Sequence, residues 1–221
     1  MAARSESERI YIHGDITPLE SSDLFMHAVK NNFVTFVKIL VDAGVNLNVQ
    51  DNDGNTALNC AARYDHESVV KILVDAKADL NIQNIYGCTA LIMAAYMVRE
   101  SVVKILVDAE ADLNVQDNDG KTALIWAASY GYEATVKILV DAKADLNIQD
   151  KDGKTALIWA ASYGYEAGRV SIVKILVDAK ADLNIQDKDG CTTLIRAAGD
   201  GYESVVKILV DAKADLNVQD N

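Results

Sequence analysis

The stretch Asp119-Gly-Lys-Thr-Ala-Leu-Ile-Trp-Ala-Ala-Ser-Tyr-Gly-Tyr-Glu-Ala134 recurs letter for letter at Asp152–Ala167, 33 residues later. Looser copies begin at Asp53 and Asp189. A fixed period constrains the fold more than any local propensity, because each unit must bury its apolar face on the next. Segments ending in Val-Lys-Ile-Leu-Val-Asp-Ala lie at Val37–Ala43, Val70–Ala76, Val103–Ala109, Val136–Ala142, Val173–Ala179 and Val206–Ala212. Their steps are 33, 33, 33, 37 and 33. Thr56, Thr89, Thr122, Thr155 and Thr192 keep the same steps, and the first unit has Asp23 in that place. The chain therefore divides into a polar arm, residues 1–20, and an array, residues 21–221. The units run approximately 21–50, 51–83, 84–116, 117–149, 150–186 and 187–221.

Each unit holds two helical patterns and a polar joint. In the fourth, Thr122 is suited to cap the first helix by accepting a bond from a free amide. Leu124, Ala127 and Ala128 follow at helical spacing, and Gly131 breaks the pattern. Val136, Ile138, Leu139 and Val140 make the second helix apolar over most of its circumference. Turn-forming residues fill Asp145–Gly153. Such short helices do not persist alone in water, so stacking must stabilise them. The Ala-Ala pairs of the first helices allow closer approach than the Val, Ile and Leu of the second, which predicts a curved stack with first helices on the concave side.

The unit Asp-x-x-Gly-x-Thr-x-Leu-x-x-Ala-Ala, then Val-Lys-x-Leu, then Ala-Asp-x-Asn, resembles the ankyrin repeat over roughly Ser21 to Asn221. The resemblance implies an all-α repeat solenoid of stacked helix-turn-helix units joined by short β-hairpins or extended loops. It also implies binding of other proteins. Departures from the family pattern are informative. The family's Thr-Pro-Leu-His has become Thr-Ala-Leu-Asn once, Thr-Ala-Leu-Ile three times and Thr-Thr-Leu-Ile once. Ile92, Ile125, Ile158 and Ile195 should replace the histidine's hydrogen bonds with apolar packing. The glycine after the second helix survives as Gly44 alone; Lys77, Glu110, Lys143, Lys180 and Lys213 hold that place elsewhere. A left-handed backbone there would cost about 1 kcal/mol per residue. The fifth unit has four extra residues within Ala167–Ser171, readable as an added helical turn or a bulging loop with Arg169 at its tip.

Composition excludes several classes. A formal charge of −12 with no long basic run argues against a nucleic-acid partner. No apolar run approaches the ~18 residues that would suggest a membrane span. Cys60, Cys88 and Cys191 lack metal-ligand spacing, and an odd count of thiols suits a reducing, cytoplasmic location, with the nucleus or a host cytosol as alternatives. His13, His27 and His66 have no repeat counterparts and no nucleophile or acid at catalytic spacing. His66 reads as a surface histidine. No catalytic residue, cofactor or metal is expected. The recurring asparagines Asn81, Asn114, Asn147, Asn184 and Asn217 read as hydrogen-bonded turn residues; in the family such an asparagine can be hydroxylated.

Recognition should lie where large side chains stand on a face that stacking does not require. On the first helices this selects the pairs Cys60/Tyr64, Met93/Met97, Trp126/Tyr130, Trp159/Tyr163 and Arg196/Asp200. The third unit departs most. Its loop reads Asn84-Ile85-Tyr86-Gly87-Cys88, and Tyr96, Met97 and Val98 stand where other units have polar residues or glycine. Apolar residues gathered on a surface mark a contact site. The candidate partner-binding residues are thus Tyr64, Ile85, Tyr86, Met93, Tyr96, Met97, Trp126, Tyr130, Trp159 and Tyr163. The function expected is a monomeric, non-catalytic scaffold binding a protein with a basic rim. The alternative is a targeting or substrate-recruiting segment of a larger enzyme or host-directed effector, ending at residue 221.

Overall fold

The computed structural model describes residues 18–162 and 166–220, with 18–20, 166 and 167 described by backbone alone. Twelve helices form six pairs among these residues. They are α1 (Pro18–Lys30) with α2 (Val34–Asp42), α3 (Ala57–Arg63) with α4 (Glu67–Asp75), and α5 (Ala90–Tyr96) with α6 (Glu100–Asp108). Then come α7 (Ala123–Tyr130) with α8 (Glu133–Asp141), α9 (Ala156–Ser162) with α10 (Glu166–Asp178), and α11 (Thr193–Gly199) with α12 (Glu203–Asp211). Every helix packs on its pair-mate and on its counterpart in the next pair, giving an all-α solenoid. Residues 1–17, including His13, lie outside the described residues. Pro18–Glu20, placed in the arm by sequence, instead form the first turn of α1. Proline fits there because its missing amide would have had no helical partner.

The recurring threonines cap the first helices. Thr56, Thr89, Thr122, Thr155 and Thr192 each accept a bond from the amide three residues on, at 3.2–3.3 Å. Each cap stabilises its helix by about 1 kcal/mol. The Ala-Ala pairs of α3, α5, α7 and α9 are fully buried. First helices pack on one another more extensively than second helices do, as small side chains permit. Ile92, Ile125 and Ile158 are buried to 2% exposure or less, filling apolar positions between units. Asn59 alone keeps a polar link there, its Nδ2 donating to the Cys88 carbonyl of the next unit at 3.0 Å.

Lys77, Glu110, Lys143, Lys180 and Lys213 are left-handed, with φ between 63° and 71°. The conformation closes the second helices. In α8, the Lys143 amide donates to the Val140 carbonyl and the Ala144 amide to the Leu139 carbonyl, both at 3.0 Å. The fifth unit's four extra residues lengthen α10 to 13 residues, against nine in α8. The insertion is therefore a helical turn. Arg169 does not project from a tip; its guanidinium lies 3.6 Å over the Tyr202 ring of the next pair. Gly168 lets this turn approach closely, since a Cβ there would lie 2.9 Å from the Gly131 carbonyl oxygen.

The connecting loops remain extended and do not pair into β-hairpins. Among the described residues there is one isolated antiparallel bridge, Gln50 with Thr56. Single backbone bonds join successive loops, as from the Asn118 amide to the Tyr86 carbonyl at 2.9 Å, and side chains add to them. Gln83 Nε2 donates to the Gly87 carbonyl at 2.7 Å and across to the Gln116 carbonyl at 2.9 Å. Gln50, Gln116, Gln149 and Gln186 repeat that two-way bond. Asn114 Oδ1 accepts from the Asp145 amide of the next unit at 2.9 Å, and Asn48, Asn81, Asn147 and Asn184 do likewise. The recurring asparagines are thus inter-unit acceptors as well as turn residues. Gly120 is required twice over: its φ is +78°, and a Cβ would meet the Lys151 nitrogen at 2.8 Å.

Candidate functional site

The site is built on one recurring loop residue. Asp117 closes its loop by accepting the Asp119 and Lys121 amides on Oδ1, at 2.9 and 2.8 Å. Its Oδ2 accepts from Trp126 Nε1, nine residues on, at 2.7 Å. Asp150 and Trp159 repeat that bond at 2.6 Å, and Arg196 Nε reaches Asp187 Oδ2 at 2.7 Å. These carboxylates are 6–8% exposed. A buried charge needs such a donor to offset its desolvation. In the second unit Lys30 Nζ supplies it to Asp51 Oδ2 at 2.9 Å. In the fourth, fifth and sixth units the groove position nine residues after the loop acid is therefore the partner of that acid.

The third unit changes both members. Asn84 stands in place of the acid and Met93 in place of the donor. Asn84 Oδ1 still accepts the Tyr86 and Cys88 amides, at 3.0 and 2.9 Å. Its Nδ2 turns away to Asn55 Oδ1 at 2.9 Å. With no carboxylate and no indole on the floor, a cavity of about 240 Å³ opens. Its floor is Asn84, Cys88, Ile92 and Met93, and its walls are Arg63, Tyr86, Tyr96, Met97 and Trp126. Burial pushes the Cys88 thiol up to about 11, with Asp117 and Asp119 adding to the shift, so at neutral pH it stays protonated and reacts slowly.

Aromatic rings form one wall. The Tyr96 and Trp126 rings meet edge-on at 5.0 Å, and Tyr96 and Tyr130 at 5.6 Å. Trp126 and Tyr130 stack at 5.9 Å, and Tyr130 and Tyr132 at 5.7 Å. Each such pair contributes about 0.5–1.5 kcal/mol beyond its burial. Burial, with the neighbouring Tyr96 phenol, raises the pKa of Tyr130. Lys121 Nζ lies 4.3 Å from the Trp126 ring centre and 4.0 Å from that of Trp159, clamped between two units.

Of the residues singled out by sequence, Tyr86, Met93, Tyr96, Met97 and Trp126 converge on this cavity, with Tyr130 stacked behind Trp126. Ile85, 55% exposed, stands at the loop tip beside it. Tyr64 is apart, paired with His66 at 5.9 Å. Trp159 belongs to the next unit's acid pair, and Tyr163 lies outside the described residues. His66 is half-buried rather than a surface histidine, and its Nδ1 bonds the Val29 carbonyl of the first unit at 3.0 Å. Sequence reasoning missed Asn84, Cys88, Arg63, Lys121 and Tyr132. The signal for Asn84 was present, because loop acid and groove donor change together only in the third unit.

Three other clefts are larger. Two lie between successive second helices, about 590 and 530 Å³, lined by the same Lys, Val, Asp and Ala positions one or more repeats apart. They are more open and follow from helix spacing. The third, about 430 Å³, is the face of the last pair around Val206 and Val210. The third-unit cavity is the most enclosed and apolar of these.

A family model described as ankyrin repeats, in three copies, matches residues 25–117, 77–150, 98–187 and 143–220. The chain belongs to the ankyrin repeat family. No curated protein matches it. Among solved structures it is similar to an ankyrin repeat domain from Acinetobacter baumannii AYE, at TM-score 0.83 and 30% identity, covering 87% of this chain and 98% of that one. It is also similar to the ankyrin repeat protein EF0377, at TM-score 0.81 and 30% identity, covering 86% and 97%. Ankyrin arrays are generally protein-interaction modules, and no described helix here is long and apolar enough to cross a membrane.

Proposed function

We propose that this ankyrin array is a monomeric, non-catalytic scaffold that anchors a partner protein in the third-unit cavity. One observation carries the reading: the loop acid and its donor, paired in the fourth and fifth units, are both replaced in the third unit, and an apolar cavity takes their place. An apolar side chain of the partner fills that cavity, with Tyr86, Tyr96 and Trp126 supplying rigid aromatic walls. Farther out, the acidic loop tips at Asp53, Asp119 and Asp152 meet a basic rim on the partner. Ile85, Tyr64 and Trp159 extend the contact along the groove. Three free thiols support a reducing, cytoplasmic setting.

The test refills the cavity. Asn84→Asp with Met93→Trp installs the pair that the fourth and fifth units already use, so the variant should fold. Proteins captured by the parent chain from a cell lysate should be lost by this variant. Capture of the same proteins at the same yield by both chains would put the anchor elsewhere.

A further inference from the structure

Two arginines, one lining the third-unit cavity and one beside the first one's backbone carbonyl, stand where no other unit has any. Arg63 lines it, at the last turn of α3. Its counterparts in later units are Tyr96, Ser129, Ser162 and Gly199. Arg99 opens α6, and its Nε lies 3.5 Å from the Arg63 carbonyl. The counterparts of Arg99 are Phe33, His66, Tyr132, Tyr165 and Tyr202. Asp65, Glu67 and Glu100 sit at the same helix turns, yet neither arginine forms an ion pair among the described residues. On the opposite side the loop of the third unit carries no charge, and Lys121 sits over Trp126. Asp117 and Asp119 act on the cavity through Cys88, so the surround is of mixed charge, and the two guanidiniums are set apart by having no acid paired to them among the described residues.

We infer that the segment received here is a peptide with one large apolar side chain for the cavity and an aspartate, glutamate or terminal carboxylate beside it. The inference rests on the cavity being the anchor site. The carboxylate meets the Arg63–Arg99 edge, and guanidinium groups accept it in paired hydrogen bonds that an ammonium cannot reproduce. The cavity has room for one leucine- or phenylalanine-sized side chain, so the anchor is single. The arginines stand on the α3–α6 side of the cavity, whereas the acids acting on Cys88 belong to the fourth-unit loop. Specificity then comes from a carboxylate toward the arginines and basic residues toward the loop acids on the same partner.

The experiment selects short random peptides, displayed on phage, against the full chain. Enriched peptides should carry Leu, Ile, Phe, Tyr or Trp with Asp or Glu within a few positions. Bound peptide should slow iodoacetamide alkylation of Cys88, which lines the cavity floor. Changing the peptide's acid to its amide should weaken binding to the parent by about tenfold and to Arg63→Glu/Arg99→Glu by less than about twofold. The neutral pair Arg63→Gln/Arg99→Gln should shift in the same direction, covering the case in which charge reversal unfolds the unit. Peptides that protect Cys88 but show no acid, or bind both arginine variants as tightly as the parent, overturn the inference and leave the cavity as anchor. Peptides that leave Cys88 reacting at its free rate, or no enrichment at all, overturn both.

Discussion

The third and fourth units share a backbone plan and use it for different ends. In the fourth, Asp117 and Trp126 bond across nine residues, Gly131 takes the left-handed turn after α7, and the groove floor is filled. In the third, Asn84 and Met93 do not bond, Val98 is forced into the same turn at φ 59°, and the floor is open. A β-branched residue in that region is strained, by an amount on the order of 1–3 kcal/mol. Stacking constrains both units equally, since Ala94, Ala95, Ala127 and Ala128 are all fully buried. The third unit thus departs from the repeat only on its groove side and at the adjoining turn. A unit that relaxes its own best pairing while keeping its packing leaves surface available for something else.

The comparison is tested most severely at the loop residue itself. Asp117→Ala removes two amide bonds and leaves the Trp126 Nε1 donor without its acceptor, so it should destabilise the chain by about 3 kcal/mol. Asn84→Ala removes two amide bonds and one amide–amide bond but strands no indole and no charge, and should cost about half as much. Urea melts of the two variants decide it. Equal costs would mean that the Asp117–Trp126 bond contributes little, and that its loss in the third unit needs no functional explanation.

Much of this was legible in the letters, and the limits were physical. The threonines, the Ala-Ala pairs and the Val-Lys-Ile-Leu core encode stacking through local capping and helical spacing, so the fold followed from them. The left-handed lysines were legible because a glycine position had been refilled. The Asp117–Trp126 bond was not, because it joins a loop to a helix at a separation that matches no helical or strand period. The glutamine ladder was hidden by its chemistry: Gln83 and Gln116 recur in sequence as ordinary surface polar residues, and only the folded loops show their amides spanning two units. The added turn of α10 stayed ambiguous because Gly168 disfavours a helix by propensity, while its close contact with Gly131 favours one by packing. Tyr132 joins the aromatic wall from the turn after α7, where no spacing rule ties it to Tyr130.

The strained turn gives a second, smaller test. Val98→Gly should stabilise the chain by about 1–2 kcal/mol, relieving a β-branched side chain from a left-handed backbone. Lys143→Gly relieves an unbranched residue at φ 68° and should gain nearer 1 kcal/mol. Thermal melts should therefore rank Val98→Gly above Lys143→Gly above the parent. If Val98→Gly leaves the melting temperature unchanged, the third unit carries no strain at this turn, and the contrast with Gly131 is one of sequence alone. If it stabilises but weakens partner capture, the strain helps hold Tyr96 and Met97 against the cavity.

The smallest effect concerns protons, and it separates the third unit from the second. Lys30 has a raised pKa, chiefly from its hydrogen bond to Asp51. Burial of Asp51 disfavours its charge, but the Lys30 bond and the Asn55 and Asp53 amides outweigh it and lower its pKa. A lowered carboxyl pKa stabilises the fold above the ordinary carboxylate value, about 3.9, and that contribution is lost as pH falls through the lower folded value. A raised lysine pKa stabilises the fold below about 10.4 and is lost as pH rises through the higher folded value. The pair therefore acts between those limits. Lys30 is 42% exposed, so solvent screening holds its worth to about 0.5 kcal/mol or less. Asn84 has no proton to gain over this range. The Asn55 amide, which donates to Asp51 Oδ1 at 2.9 Å, should lose hydrogen-exchange protection on acidification below about pH 4. The Cys88 amide, which donates to Asn84 Oδ1 at 2.9 Å, should keep its protection until the whole array unfolds. Parallel loss at both amides would show that the second and third loops are held by the same forces, and that replacing acid with amide in the third unit changed nothing but charge.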